Sequence, residues 1–226
     1  MARIRALEEE KARAEEEAKK KVAVLEPVIE TCPKGMRYIA SGPFQIGSAA
    51  DDPMRNFGER ALAEVQVASF CIDVYEFPNR ARAPPRTNVT WQEARRACEK
   101  AGKRLCTEEE WEKACKGPAG HRWPYGDVFA PDACNTEDAE GNDRPLAPGG
   151  QSSQCKSGYG VYDMSGNAYE WTATPFQAGA EDRTLKGGAA NRPDWDTRCA
   201  SRTNKPPGFR NAYVGFRCCA DPKRTE

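Results

Sequence analysis

The sequence predicts a loop-rich α+β domain over residues 31–222, built on two main helices and short antiparallel strands and braced by disulfides. Three observations predict it. Only 38% of the 226 residues are apolar, while 19 glycines and 17 prolines interrupt the chain, a mixture in which irregular backbone exceeds helix and strand. Ten cysteines stand at 32, 71, 98, 106, 115, 134, 155, 199, 218 and 219. They are even in number and none sits in a C-x-x-C pair, which disfavours a zinc-thiolate site and favours disulfides formed in an oxidising compartment. Finally, Thr90-Trp-Gln-Glu93 and Thr107-Glu-Glu-Glu110 each carry the capping-box pattern that opens a helix.

The elements follow in order. Residues 1–30 form a separate, charged segment in which Glu15–Lys19, Glu16–Lys20 and Glu17–Lys21 are i,i+4 pairs in the favourable order. A solvated helical stalk or linker is expected there, because Lys11 and Lys21 interrupt the thin stripe of Ile4, Leu7, Ala14, Ala18 and Leu25 that a coiled coil would need. Residues 36–47 alternate around a Gly-Pro turn and predict a hairpin. Residues 65–75 alternate as one strand. The first helix runs from Thr90 to about Ala101-Gly102 and the second from Thr107 to about Lys116-Gly117. Trp91 and Trp111 lie on their apolar faces as plain packing. Some forty residues of turns follow, then short strands near 169–172, 184–186 and 214–218, and a tail at 223–226.

Charge excludes some functions. Thirty-four basic residues balance thirty-four acidic ones, so neither a nucleic-acid footprint nor a charge-driven membrane partner is indicated. No apolar run reaches the length of a membrane span. The start, Met1-Ala-Arg-Ile-Arg, shows no apolar stretch of a signal peptide, so the chain is read as beginning at an internal boundary.

Several segments together resemble the formylglycine-generating-enzyme, or sulfatase-modifying-factor, superfamily. They are Gly42-Pro-Phe-Gln-Ile-Gly, Phe70-Cys-Ile-Asp-Val-Tyr-Glu, Val89-Thr-Trp-Gln-Glu-Ala and Gly102-Lys-Arg-Leu-Cys-Thr-Glu-Glu-Glu-Trp-Glu. Trp123-Pro-Tyr-Gly, Asp163-Met-Ser-Gly-Asn-Ala-Tyr-Glu-Trp, Leu185-Lys-Gly-Gly and Val214-Gly-Phe-Arg-Cys complete the series. The resemblance implies a variant of the C-type-lectin fold. Glycines 102, 160, 187 and 188 stand where a side chain is expected to obstruct the backbone.

The chemistry of that superfamily is missing. Its oxidases hold copper on a pair of cysteines between the Gly-Gly turn and a Cys-Ala-x-Arg element. Here that interval reads Ala189-Ala-Asn-Arg-Pro-Asp-Trp-Asp-Thr-Arg198 before Cys199-Ala-Ser-Arg. It contains no thiol to bind cuprous ion, and the serine usual after Gly-Gly is Ala189. A second branch uses an iron held by three histidines, but this chain has one histidine, His121. Neither copper nor iron is therefore expected, and no G-x-S-x-G motif suggests a hydrolase.

What the resemblance leaves is calcium and disulfides. Asp163 and Glu170 match side-chain ligands of the family's calcium loop, and Gly166 and Ala168 its carbonyl ligands, a donor set that suits calcium. A second family site begins at Asn135 with the Thr136 carbonyl, completed by Asp138 or Asp143; an Asx-rich turn without metal is the competing reading. The resemblance also pairs Cys98 with Cys218 and Cys115 with Cys199, loops whose closure is worth about 4–5 kcal/mol each in the chain-entropy account. Cys134 and Cys155 flank the turn-rich segment and could pair locally. Cys32, Cys71, Cys106 and Cys219 remain, with three pairings open to them; the expected one is Cys32–Cys71 with Cys106–Cys219.

The expected function is a non-catalytic, extracytoplasmic binding or scaffold module. Arg192 and Trp195, in the stretch that replaces the catalytic one, are its candidate contacts for a protein or glycan ligand, since both residue types are enriched at hot spots. The N-terminal helix would present the domain from a membrane anchor or a partner. Two alternatives stand beside it: an enzyme of this superfamily with another protein- or peptide-modifying chemistry, and a variable-loop ligand binder of lectin type.

Overall fold

A computed structural model describes residues 10, 11, 13 and 29–225; the charged segment expected to form a stalk otherwise lies outside the described residues. By its internal contacts the chain divides into residues 32–222 and a smaller unit of residues 1–31 with 223–226. In the smaller unit, strand β1 (Ile29–Thr31) pairs antiparallel with β12 (Lys223–Thr225). The segment expected to be a tail is thus a strand, and Arg224 forms an ion pair with Glu30 across the ladder.

Within the larger unit, both helices start where the capping boxes place them. Helix α1 spans Trp91–Lys100 and α2 spans Glu108–Lys116. Thr90 and Thr107 each accept a hydrogen bond from the N–H three residues on, and Glu93 and Glu110 return the bond. That reciprocal pair satisfies donors a helix start leaves orphaned.

The strands correct the sequence reading in three places. Strand β2 (Met36–Ile39) and β3 (Gly42–Ile46) do not form a hairpin with each other: β2 pairs with β5 (Phe70–Asp73) and β3 with β4 (Ala63–Val67). The expected single strand over 65–75 is broken after Val67, so β4 and β5 enter different sheets. The 214–218 strand is likewise two, β10 (Val214–Gly215) and β11 (Cys218–Ala220). Alternation of apolar residues marks extended backbone but not its partner, which is why each segment was legible and its pairing was not.

Two four-stranded sheets result. One has the order β2-β5-β11-β6, with β6 at Arg104–Leu105; the other has the order β10-β7-β8-β9. In the latter, β7 (Tyr169–Pro175), β8 (Arg183–Lys186) and β9 (Arg202–Lys205) are antiparallel, while β10 pairs with β7 in parallel, a departure from the all-antiparallel expectation. Val89, Ala94, Leu105, Trp171, Leu185 and Phe216 fill the core beneath α1. Ile39, Phe70, Ile72, Trp111, Val161 and Met164 fill the core beneath α2.

All ten cysteines are paired: Cys32–Cys71, Cys98–Cys218, Cys106–Cys219, Cys115–Cys199 and Cys134–Cys155. Cys98 and Cys115 sit late in α1 and α2, so the bridges fasten each helix to the C-terminal part of the chain.

Helix α2 departs from the amphipathic pattern. Glu108, Glu110, Glu112, Lys113 and Lys116 are all buried. Lys186, from β8, places its Nζ 2.9 Å from Glu112 and 3.9 Å from Glu108. Lys116 reaches Glu112 at 2.9 Å and also donates to the Gln45 and Gly47 carbonyls. Arg202 pairs with Glu108 at 2.7 Å. Burial alone would raise the Glu112 carboxyl, but Lys186 and Lys116 hold it below its ordinary value. Charged side chains of a kind that ordinarily face solvent here form an internal network.

Candidate functional site

The loop from Asp163 to Glu170 joins the turn-rich segment to β7, and its shape is set by backbone that glycine permits. Gly166 has φ +75°, and a Cβ there would lie 2.2 Å from the Asn135 carbonyl oxygen. Only glycine lets the two segments approach this closely. Asn167 N–H then donates to the same carbonyl at 2.7 Å.

Glu170 is fully buried and heavily bonded. Arg217 grips it in a fork, Nε to Oε2 and Nη2 to Oε1, both at 2.6 Å, and Trp111 Nε1 donates to Oε2 at 2.7 Å. Trp111 therefore does more than pack, and α2 and the residue before β11 together aim the carboxylate. Asp163 accepts from Gly150 N–H through Oδ2 at 2.7 Å. A third carboxylate, Glu76, lies alongside: its Oε2 accepts from Asn167 Nδ2 at 2.6 Å and its Oε1 from Ala168 N–H at 3.2 Å. Neither Glu76 nor Arg217 was assigned a role from the sequence, although both lie in the motifs quoted there.

The electrostatics leave this site short of positive charge. Burial, with the repulsion of Glu170, pushes Asp163 up to about 6 against the bond from Gly150 and the pull of Arg217. Burial and the charges of Asp163 and Glu170 push Glu76 well above its ordinary value. Three buried carboxylates thus share the single guanidinium of Arg217. Among the described residues no three His, Cys, Asp or Glu side chains converge as a metal site by themselves. The fit to calcium rests on combining Asp163 and Glu170 with the Gly166 and Ala168 carbonyls. Of these, Glu170 has both oxygens engaged by Arg217 and Trp111, so it would have to exchange those bonds to serve as a ligand. Oxygen donors of this kind are the ones calcium takes.

The second expected site is arranged differently. Asn135 commits its amide to Pro145 O and Asn167 Oδ1. Asp138 accepts from the Glu140 and Asn142 N–H groups and from Asn142 Nδ2, and these bonds hold its carboxyl below the ordinary range. Thr136 donates its hydroxyl to Glu137 O. This geometry is that of an Asx turn, and Asp143 is not drawn into it.

The stretch in place of the catalytic one begins on buried Ala189 and Ala190. Gly188, with φ +69°, packs so closely that a Cβ would lie 2.7 Å from Thr197 Cγ2. A 3₁₀ turn covers Asp194–Asp196. Asp196 accepts the Tyr169 hydroxyl at 2.5 Å and the Ser201 hydroxyl at 3.1 Å, and Arg192 approaches it at 3.7 Å. Burial and the Asp196 charge push the Tyr169 phenol far up. Arg192 and Trp195 are exposed, Trp195 by 47%. Cys199 is buried and bonded to Cys115. His121 lies near the surface, with Nδ1 3.1 Å from Asp127.

Beside Arg192 a pocket of about 310 Å³ opens between β9, the loop before β10 and the residues after Gly188. Asn191, Arg192, Lys205, Phe209 and Tyr213 are among its walls.

Known proteins resemble this chain in sequence and fold. The inactive C-alpha-formylglycine-generating enzyme 2 of Bos taurus is 34% identical over 158 residues, covering 62% of this chain and 51% of that protein. The formylglycine-generating enzyme of Bos taurus is 31% identical over 164 residues, covering 61% of this chain and 44% of that one. The chain thus spans about half the length of these curated relatives. The solved structure of PvdO from Pseudomonas aeruginosa superposes with a TM-score of 0.71 at 21% identity, over 87% of this chain and 99% of that one, which establishes a shared fold. The profile of the sulfatase-modifying factor enzyme 1-like domain matches residues 77–222, well over half of the chain, and the protein belongs to that family.

Proposed function

We propose that this chain is a non-catalytic member of the family, acting as a calcium- and disulfide-stabilised binding module outside the cytoplasm. One observation carries the reading: the interval from Ala189 to Arg198 has no thiol, and every cysteine is held in a bridge. Cuprous chemistry requires thiolate, and none is free to supply it. The likeness to a relative named as inactive supports the same conclusion. Five bridges favour an oxidising compartment. Asp163, Gly166, Ala168 and Glu170 would hold calcium, tying the turn-rich segment to β7 and leaving the loops as a rigid display. Arg192 and Trp195 would form the contact surface for a protein or glycan ligand, and a helical N-terminal segment would present the domain from an anchor or partner.

Metal content tests the reading. Elemental analysis of protein refolded with copper, iron and calcium all present, then desalted, is expected to find calcium and neither redox metal at stoichiometric level. Stoichiometric copper or iron would overturn it.

A further inference from the structure

We propose that the loop joining β5 to α1 binds an acidic polysaccharide through Arg80, Arg82 and Arg86; the choice of ligand rests on the extracytoplasmic reading above. Net charge hides this surface. The chain as a whole is neutral, yet between Glu76 and Glu93 it carries these three arginines and no other charged residue. All three are exposed. Among the described residues, none of the three guanidiniums has a carboxylate within 4 Å or makes a hydrogen bond. The acids nearest in the chain are occupied or enclosed: Glu76 is buried, Asp73 pairs with Lys103 at 2.5 Å, and Glu93 pairs with Arg210 at 3.2 Å.

The backbone beneath these arginines is fixed. Arg82 N–H donates to the Gly149 carbonyl and Gly149 N–H to the Ala83 carbonyl, both at 2.9 Å. Arg86 N–H donates to Phe77 O at 2.8 Å, and Asn88 N–H to Asn211 O at 3.0 Å. Ala83 is buried, and a Cβ on Gly215 of β10 would lie 2.9 Å from the Arg86 carbonyl oxygen. Arg82 has φ +62°, a left-handed conformation that is costly for a residue with a side chain and that the surrounding bonds impose. The Arg86 guanidinium rests 6.0 Å from the Phe77 ring centre. Free cations on a fixed backbone reduce the ordering cost of binding.

Guanidinium forks match the paired oxygens of carboxylate and sulfate. An anion repeated along a polymer can therefore meet all three arginines at once. Other polyanions fit this loop less well. The exposed large apolar side chains are Tyr38, Phe57, Leu62, Val128 and Trp195, none of them in the loop. A protein interface has an apolar centre, and stable anchoring on a bilayer takes an apolar or acyl signal besides charge. The five bridges favour an oxidising compartment, away from cytosolic nucleic acid.

The test titrates the disulfide-intact protein against fluorescein-labelled heparin, polygalacturonate and neutral dextran, with anisotropy as the readout. Duplex DNA and vesicles of phosphatidylcholine with phosphatidylglycerol serve as competitors. At least one acidic polymer is expected to bind and dextran is not, with affinity falling about tenfold between roughly 50 and 200 mM salt as counterions are released at three contacts. Heparin alone would identify sulfate as the anion, polygalacturonate alone carboxylate. Replacing Arg80, Arg82 and Arg86 together by glutamine should weaken binding about tenfold or more and leave the melting temperature unchanged. Replacing them by lysine should restore part of the loss, because ammonium keeps the charge without the fork. The proposal is overturned if neither acidic polymer binds at millimolar sugar, or if the glutamine variant binds as tightly as the parent. Tighter binding of DNA or vesicles than of both polysaccharides overturns it too. None of these results alters the metal-content test, so the two readings fail separately.

Discussion

Replacing Lys186 by methionine is expected to lower the stability of the domain by about 3–5 kcal/mol, the range for stranding one partner of a buried ion pair. Lys186 is fully buried and its ammonium lies between Glu112 at 2.9 Å and Glu108 at 3.9 Å. With it gone, Lys116 still faces Glu112 and Arg202 still faces Glu108, but each carboxylate keeps fewer partners in a region closed to water. Removing the charge on both sides should cost less than removing it on one. Adding Glu112→Gln to the Lys186→Met protein should therefore recover part of the loss. Urea unfolding with the bridges intact measures both. A single variant within about 1 kcal/mol of the parent would show that the network is solvated.

The second large effect concerns Asp163. Its folded value of about 6 stands above the ordinary 3.8, so the fold favours the protonated form. In protein freed of calcium, that contribution is full below about pH 4 and is lost as pH rises through about 6. The difference is about 3 kcal/mol at roughly 1.4 kcal/mol per unit. With EDTA present, Asp163→Asn should therefore gain stability relative to the parent as pH goes from 4 to 7. With excess calcium at pH 7 the order should reverse. The parent gains about 2.7 kcal/mol at a hundredfold excess over Kd, and the variant, lacking a ligand oxygen with charge, gains little. Melting temperatures at the two pH values, with EDTA and with calcium, give the full comparison. A parent whose melting temperature ignores both calcium and EDTA would contradict the assigned ligands.

Both effects arise from side chains whose placement the sequence disclosed unequally. Thr90 and Thr107 announce their helices because a capping box is local chemistry, and it forms as read. The Asp163–Glu170 loop was marked by the resemblance, but the close approach of Asn135 that requires glycine at 166 was not read from the sequence. The hairpin expected over 36–47 was not formed, since partner choice among strands is settled by distant chain. Lys186, Glu112 and Lys116 look like surface residues in any local reading; only the folding of β8 against α2 buries them together. Glu76 and Arg217 were hidden for the same reason: each is 47 or more residues from the carboxylates or amides it meets. The pocket beside Arg192 is assembled from residues of β7, β8, β9 and β10 and two loops, and no short motif could have shown it.

Mass spectrometry of a sulfatase-motif cysteine peptide, incubated with the protein, copper and a mild reductant that leaves the bridges intact, tests the central claim most directly. Oxidation of the peptide cysteine needs thiolates that hold cuprous ion and capture the substrate. The interval from Ala189 to Arg198 supplies none, and Cys199 is bonded to Cys115. The peptide is expected to emerge with its sulfur, at the level of the protein-free control. Loss of sulfur with formation of the aldehyde above that control would contradict the account.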